Sequence, residues 1–248
     1  MPHDVTDPSD IPDVLTGELR EMLGSVGTAT ITAQLFRRGI RSTFLSGLKP
    51  LLADQRMVGR ARTLRYVAVR EDVLNAGGPR IGSQRHASET IDAGDVLIME
   101  ARQIPDAGTV GDIYAARAYH RGAVGIVTDG ALRDTAGIAA LGRPVYHQSS
   151  HGSTWRRHHM PYSCDEPITC AGVYVEPGDV VVGDAEGAVV IPHALVDEVA
   201  RDCVAQEERE AFAAERVRAG ESTHGIFPLS DERRPDFEAW RAARQSGN

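Results

Sequence analysis

Apolar residues recur along this chain at two spacings, one helical and one extended. The helical spacing predicts helices over 13–23, 28–38, 86–93, 111–121, 134–140 and 192–220. Alternating apolar and polar positions predict a strand over 57–69, and short, mostly apolar runs predict strands over 96–100, 123–127, 144–147, 169–175, 180–182 and 188–191. Helices interleaved with short strands are typical of mixed α/β folds. We therefore predict an α/β fold in one domain, followed by a C-terminal helical extension.

The polar and Gly/Pro-rich segments set the expected boundaries. Residues 1–12, rich in proline and aspartate, are predicted to be a disordered N-terminus. The domain is predicted to occupy 13–220, and the polar segment 221–248 forms the extension. Within the domain, 72–85 is predicted to be a loop, and Gly59 is predicted to form a bulge in the first long strand.

A turn signal followed by two charged residues marks the most informative segment. The apolar run 123–127 leads into Asp129-Gly130, a dipeptide typical of tight turns, and Arg133-Asp134 follows. A carboxylate can hold a hard cation such as Mg²⁺. A guanidinium can hold an oxyanion through two parallel hydrogen bonds. The alternative interpretation is a turn that carries a surface ion pair.

Gly111-Asp112 begins a predicted helix. A carboxylate in a first turn is favoured by the helix dipole, so Asp112 has a purely structural interpretation. In the functional interpretation, the free N–H groups of Ile113 and Tyr114 bind a substrate carboxylate. Asp112 would then face Asp134 directly or through a water molecule.

Two further polar groups have both a structural and a chemical interpretation. His147, His151, His158 and His159 lack the regular spacing of a zinc site, so a surface loop over 147–165 is the expectation. The acidic run that contains Glu207 and Glu210 is typical of a solvated helix face. Those two glutamates share one face and could also reach a metal site, particularly on a neighbouring subunit.

Composition narrows the function classes. A net charge of −8 argues against non-specific nucleic-acid binding, and 5% aromatic residues offer few stacking platforms. Three cysteines and no visible signal peptide favour a cytoplasmic protein with reduced thiols. No apolar run is long enough to span a membrane. No P-loop, dinucleotide fingerprint or nucleophile elbow occurs.

Several of these segments together resemble the RraA-like family. They are 93–98 (Ala93-Gly94-Asp95-Val96-Leu97-Ile98), Gly111-Asp112, 122–134 and 177–192, and the resemblance covers roughly 58–220. The family includes 4-hydroxy-4-methyl-2-oxoglutarate aldolase and the regulator of ribonuclease activity A. The resemblance implies a swivelling β/β/α domain that forms a homotrimer or a hexamer with active sites at subunit interfaces.

The resemblance also implies chemistry. A divalent metal, Mg²⁺ or Mn²⁺, is expected, with Asp134 similar to the metal ligand and Asp112 to the residue that holds metal-bound water. Arg133 resembles the residue that grips the keto or enolate oxygen of the substrate. A glutamate from the neighbouring subunit, Glu207 or Glu210, is expected to complete the site.

Three functions remain under consideration. The first is a metal-dependent aldolase or decarboxylase that cleaves a 4-hydroxy-2-oxo acid to pyruvate and a carbonyl compound, with oxaloacetate decarboxylation as a side activity. The others are a protein-binding regulator of a ribonuclease and a dehydratase of a sugar-acid-derived 2-oxo acid. The segment 101–103 departs from the triple glycine of most relatives, which bears on the choice of substrate. No glycine-rich adenosylmethionine loop supports a methyltransferase.

Overall fold

The computed structural model of the protein describes residues 13–77 and 83–246. Within them, nine strands form a mixed sheet and two form a separate hairpin. In chain order they are β1 (Lys49–Pro50), β2 (Met57–Ala68), β3 (Asp95–Glu100), β4 (Gly108–Val110), β5 (Gly125–Leu132), β6 (Val145–Ser150), β7 (His159–Cys164), β8 (Ile168–Cys170), β9 (Val173–Val175), β10 (Val180–Gly183) and β11 (Ala188–Ile191).

The large sheet has the order β1-β6-β5-β3-β2-β10-β11, with β4 paired to β5 and β7 paired to β2. Its centre is parallel: β2 pairs with β3, β3 with β5, and β5 with both β4 and β6. The flanking strands β1, β7, β10 and β11 run antiparallel. The parallel strands therefore end at one common edge of the sheet, which is where ligand sites form in α/β proteins.

The helices in chain order are α1 (Gly17–Ser25), α2 (Thr28–Arg37), α3 (Glu71–Asn75), α4 (Gln84–Thr90), α5 (Asp112–Arg121), α6 (Thr135–Ala140), α7 (Val196–Arg218) and α8 (Arg234–Ser246). Apolar residues of α4, α5 and α6 cover one face of the sheet, and the β8–β9 hairpin covers the other. This layering confirms the predicted β/β/α fold, with α1, α2 and α7 packed together over β10 and β11.

Strand periodicity explains why the sheet has two apolar faces. In β3, Val96 and Ile98 pack toward the hairpin, whereas Leu97 and Met99 pack toward the helices. Successive side chains of a strand point to opposite faces, so a strand buried on both sides needs apolar residues at every position. The continuous apolar run of β3 meets that need.

The predicted Asp129-Gly130 turn is wrong, because both residues lie inside β5. The buried Asp129 carboxylate accepts hydrogen bonds from the backbone N–H of Ala101 and, at 3.0 Å, of Ala171. Burial raises the pKa of Asp129, although these backbone donors act in the opposite direction. Backbone N–H groups from distant segments thus offset the cost of burying the Asp129 carboxylate, which turn propensity alone would place in solvent.

Two loop predictions and one bulge prediction also need correction. The segment 72–85 contains most of α3, and the segment 147–165 contains the end of β6, a short 3₁₀ helix and β7; residues 78–82 lie outside the described residues. Gly59 forms no bulge, because its pairing with β10 is regular and the register shift of β2 lies at Arg65/Tyr66. A Cβ on Gly59 would lie 2.7 Å from the carbonyl oxygen of Gly94, so glycine there permits close packing.

The C-terminal extension folds back onto α7. Phe237 and Trp240 of α8 each meet the ring of Phe212 edge-on, with ring centroids 5.7 Å apart. Phe212 is fully buried as a result. The predicted disordered stretch 1–12 lies outside the described residues. Across the described part of the chain, none of the helices has the length and apolar character needed to cross a membrane.

Candidate functional site

Two dipeptides with charged side chains follow the ends of two neighbouring parallel strands. β4 pairs with the end of β5, placing Val110 opposite Leu132. Gly111-Asp112 follows Val110, and Arg133-Asp134 follows Leu132. The Arg133 N–H also donates to the Val110 carbonyl at 3.0 Å. Parallel pairing therefore brings together residues more than twenty positions apart, as the ends of parallel strands generally do.

Glycines create the space that these side chains occupy. A Cβ on Gly111 would lie 2.8 Å from Oδ2 of Asp134, and a Cβ on Gly137 would lie 2.9 Å from Oδ2 of Asp112. A Cβ on Gly108 would overlap the Arg133 side chain. Because each of the three charged side chains lies against a glycine, a larger residue at any of those glycine positions would push the neighbouring charged side chain out of place.

Asp134 occupies an unusual backbone position and does not cap its helix. Its φ of 53° lies in the left-handed region, although it immediately precedes α6. An aspartate there normally accepts a helix N–H, yet the Asp134 side chain accepts no capping hydrogen bond. Its carboxylate lies beside Gly111 instead. Left-handed backbone outside glycine costs free energy and is concentrated at functional sites.

Arg133 has unused hydrogen-bonding capacity. Its Nε is buried and has no hydrogen-bond partner among the described residues. No carboxylate oxygen in the described chain lies within 4.0 Å of its guanidinium nitrogens, so it forms no ion pair there. A buried guanidinium nitrogen without an acceptor is costly, which favours an anionic ligand at this point.

These residues border a cleft of about 150 Å³. The sequence-predicted Gly111, Asp112, Ile113, Tyr114, Arg133 and Asp134 all line it. The first hydrogen bond of the α5 ladder runs from Ala115 to Gly111, so the N–H groups of Asp112, Ile113 and Tyr114 precede the ladder. The structure thus brings together every predicted site residue except Glu207 and Glu210.

Sequence reasoning missed four lining residues, which are Gln84, Gly108, Val110 and Trp155. Trp155 Nε1 donates to Gln84 Oε1 at 3.2 Å, which joins two walls of the cleft. Trp155 lies in the stretch that was predicted to be a surface loop. The rarity of tryptophan in this chain was the only available signal, and it does not indicate which surface the residue faces.

The donor set of the cleft fits a hard divalent cation. Asp112 and Asp134 contribute carboxylate oxygens, and none of the described lining residues is a histidine or a cysteine. Mg²⁺ and Mn²⁺ prefer oxygen ligands, whereas zinc sites favour nitrogen and sulfur. Two carboxylates are too few for six-coordination, so water, substrate or a further residue would have to supply the remaining ligands.

Glu207 and Glu210 lie elsewhere in the chain. Glu207 Oε1 accepts from Gly27 N–H at 3.1 Å and from Thr30 Oγ1 at 2.7 Å, which ties α7 to the start of α2. Glu210 Oε1 accepts from the Gln206 side chain at 2.7 Å. Neither lines the Asp134 cleft of its own chain. Their predicted contribution concerns a neighbouring subunit and stays a prediction.

The histidine-rich stretch does not form one solvated loop. His159 is fully buried against Tyr66, with ring centroids 4.8 Å apart, and burial lowers its pKa to about 4. His158 pairs with Asp106 at 3.1 Å, and His151 Nδ1 accepts from Ser153 N–H. The expectation of surface histidines is therefore wrong for His159.

A group of possible metal ligands elsewhere in the described chain is Glu176, Asp179 and His193. Asp179 already accepts the backbone N–H groups of Glu176 and His193, both at 2.9 Å. Burial raises the pKa of Asp179, while these hydrogen bonds act to lower it. The carboxylate therefore has a structural function in closing the turn before β10.

Comparison with known proteins identifies the family of this chain. The RraA-like family model, described as Aldolase/RraA, matches residues 28–190. A protein of Halalkalibacterium halodurans, named provisionally as a 4-hydroxy-4-methyl-2-oxoglutarate aldolase, is 29% identical over 70% of this chain and 80% of its own length.

Solved structures give the same result. Streptomyces coelicolor RraAS2, described as an unusual member of the RNase ES inhibitor RraA protein family, is 32% identical with a TM-score of 0.72. That match covers 80% of this chain and 96% of RraAS2. An uncharacterized protein from Pseudomonas syringae pv. tomato shares the fold, with a TM-score of 0.72 at 23% identity over 85% of this chain and 97% of its own. The chain belongs to the RraA-like family.

Proposed function

We propose that this protein is a divalent-metal-dependent lyase that cleaves a 4-hydroxy-2-oxo acid to pyruvate and a carbonyl compound. The observation that carries the proposal is the placement of Arg133 and Asp134 beside Gly111-Asp112, with the Asp134 carboxylate left free of helix capping. The name of the Halalkalibacterium halodurans relative supports the same reaction class. Decarboxylation of oxaloacetate, which passes through the same enolate, is proposed as a side activity.

Each side chain has a role in this proposal. Arg133 donates hydrogen bonds to the 2-oxo oxygen, whose negative charge grows as the C3–C4 bond breaks. The free N–H groups of Ile113 and Tyr114 bind the substrate carboxylate at the start of α5. Asp112 accepts the proton of the C4 hydroxyl, directly or through a water molecule, and the same route returns a proton to C3 of the enolate to give pyruvate.

Asp134 and Asp112 would hold the metal ion, with Glu207 or Glu210 of a second copy as a further contributor. Mg²⁺ or Mn²⁺ would supply Lewis-acid stabilisation of the negative charge on the 2-oxo oxygen. A homotrimer or hexamer with active sites between subunits is part of the proposal. The hydrogen bonds of Glu207 to Gly27 and Thr30 support the alternative that this residue has a structural function within its own chain.

The experiment measures pyruvate release, coupled to lactate dehydrogenase, from oxaloacetate and a panel of 4-hydroxy-2-oxo acids. Wild type, Asp134→Asn and Arg133→Ala are assayed with Mg²⁺, with Mn²⁺ and after chelation. Asp197→Asn, an exposed change on α7, is the matched control. Turnover that needs metal and disappears in both cleft variants supports the proposal. Turnover that survives chelation, or survives in Asp134→Asn, would overturn it.

A second candidate is a protein-binding regulator of a ribonuclease, which the 32% identity to RraAS2 favours. A regulator has no need of an uncapped Asp134 or an unpaired Arg133. Binding to a purified ribonuclease, unaffected by Asp134→Asn and accompanied by no pyruvate release, would select this candidate. Loss of water without pyruvate release from sugar-acid-derived 2-oxo acids would select a dehydratase.

A further inference from the structure

A second cleft, of about 400 Å³, lies at the opposite edge of the sheet. Its walls come from α1, from the residues around the start of β2, and from the residues just before β5 and β6. These are the beginnings of parallel strands, whereas Arg133 and Asp134 follow the end of β5. The two clefts share no lining residue. We call this second site the arginine cleft.

Arg20, Arg56 and Arg143 line this cleft, and none of its described lining residues is acidic. Each guanidinium donates to a backbone carbonyl, of Val58, Val26 and Ala123 respectively. One such bond leaves most of the five donors of an arginine side chain unused.

The same arginines also lack ion pairs. None of the three lies within 4.0 Å of a carboxylate in the described chain, although many other arginines do. Arg60 provides the contrast, because it pairs with Asp95 at 2.9 Å and with Asp13 at 3.0 Å. In a chain of net charge −8, three unpaired arginines around one cleft form a local excess of positive charge.

Arg20 is the least exposed of the three arginines. Burial, and to a smaller extent repulsion from Arg60, lower the pKa of Arg20. Attraction to Asp95 and Asp13 raises that pKa by less, so the net shift is downward. Arg56 is exposed and also borders a neighbouring cleft that contains Asp184, so part of its charge is balanced there. Arg143 is exposed and lies over the ring of Tyr119, at 5.5 Å from the ring centroid. Arg56 and Arg143 are therefore the exposed cations of the cleft, whereas Arg20 is partly buried.

We propose that the arginine cleft binds a small organic or inorganic anion that carries at least two negative charges, of phosphate or polycarboxylate chemistry. Guanidinium groups form paired hydrogen bonds with both kinds of oxyanion, and such bonds are stronger than neutral ones. Met57, Val124 and Pro144 supply apolar walls, which limit competition from water. The volume lies within the usual range of small-molecule sites.

The test is isothermal titration calorimetry in metal-free buffer at low ionic strength, with pyrophosphate and citrate as probes. Wild type is expected to bind one equivalent of at least one probe. Pyrophosphate alone would identify phosphate chemistry, and citrate alone would identify polycarboxylate chemistry. We expect Arg143→Gln and Arg56→Gln each to weaken binding about tenfold, because each removes a charge-assisted hydrogen bond.

Two controls separate this site from other sources of binding. Arg41→Gln removes an exposed arginine that also lies over an aromatic ring, that of Phe36, and should leave the affinity unchanged. Arg133→Gln removes the cation of the other cleft, so binding that depends on Arg133 would place the anion there instead. The proposal is overturned if neither probe binds saturably, or if the Arg56→Gln/Arg143→Gln double variant binds like wild type. It is also overturned if either control variant loses as much affinity as the variants of the arginine cleft.

Discussion

Replacing Gly111 with alanine is expected to damage the Asp134 site and leave the fold intact. The backbone of Gly111 has φ of −110° and ψ of 176°, which alanine adopts without strain. The new Cβ would lie 2.8 Å from Asp134 Oδ2. Ordinary contact begins at 3.4 Å, so the carboxylate must move by about 0.6 Å.

A shift of that size is large for a metal ligand, because functional groups must be held within about 0.5 Å of their productive positions. Changes to residues that support a ligand typically cost about 10- to 100-fold in metal affinity. We therefore expect Mn²⁺ affinity and metal-dependent turnover each to fall by about tenfold or more. Gly111 precedes α5 at its N-cap position, where alanine costs at most about 1 kcal/mol of stability relative to glycine.

The assay combines Mn²⁺ titration by electron paramagnetic resonance, the coupled pyruvate assay and urea unfolding. Gly152→Ala is the matched control, because nothing lies within 4 Å of a Cβ at that position. Wild-type Mn²⁺ affinity in Gly111→Ala would refute the argument that Gly111 positions the Asp134 carboxylate. A loss of several kcal/mol of stability would show that the change acts through the fold instead.

Two further predictions concern stability. Arg62 and Asp165 form a buried bidentate pair at 2.7 and 2.8 Å, so Asp165→Asn should lower the free energy of unfolding by about 3 kcal/mol, measured by urea denaturation. Asp72→Asn, which breaks the exposed pair between Asp72 and Arg70, should leave the free energy of unfolding unchanged. Equal losses of stability in Asp165→Asn and Asp72→Asn would contradict the argument. His159 has a pKa of about 4 in the folded protein against 6.5 as a free side chain, so unfolded chains bind the extra proton first as pH falls. The free energy of unfolding should therefore fall by up to about 3 kcal/mol as the pH drops from 6.5 to 4. His159→Phe should remove that part of the pH dependence. Parallel stability-against-pH profiles for wild type and His159→Phe would disprove the prediction.

Local patterns predicted much of the fold because they reflect local physics. The apolar runs of β3 and β5 predicted buried strands, and the runs 180–182 and 188–191 predicted the strands that became β10 and β11. The resemblance of 122–134 to a known family pointed to Arg133-Asp134, which the structure places on a cleft with Asp112. Their proposed roles in binding metal and substrate await experiment.

The failures share one cause, which is contact between residues distant in sequence. Asp129-Gly130 has strong turn propensity, yet donors from Ala101 and Ala171 stabilise it inside β5. Trp155 and His159 lie in one polar stretch, but one lines the Asp134 cleft and the other is buried against Tyr66.

The sequence by itself determined most element types and the mixed α/β class, because periodicity acts over a few residues. The resemblance to a known family added the β/β/α layering and pointed to the charged dipeptides. The tertiary structure decided which strand ends lie side by side, which glycines leave room for Asp112, Arg133 and Asp134, and which arginines lack a partner. Those outcomes depend on strand pairing across long separations, and no local pattern encodes such pairing.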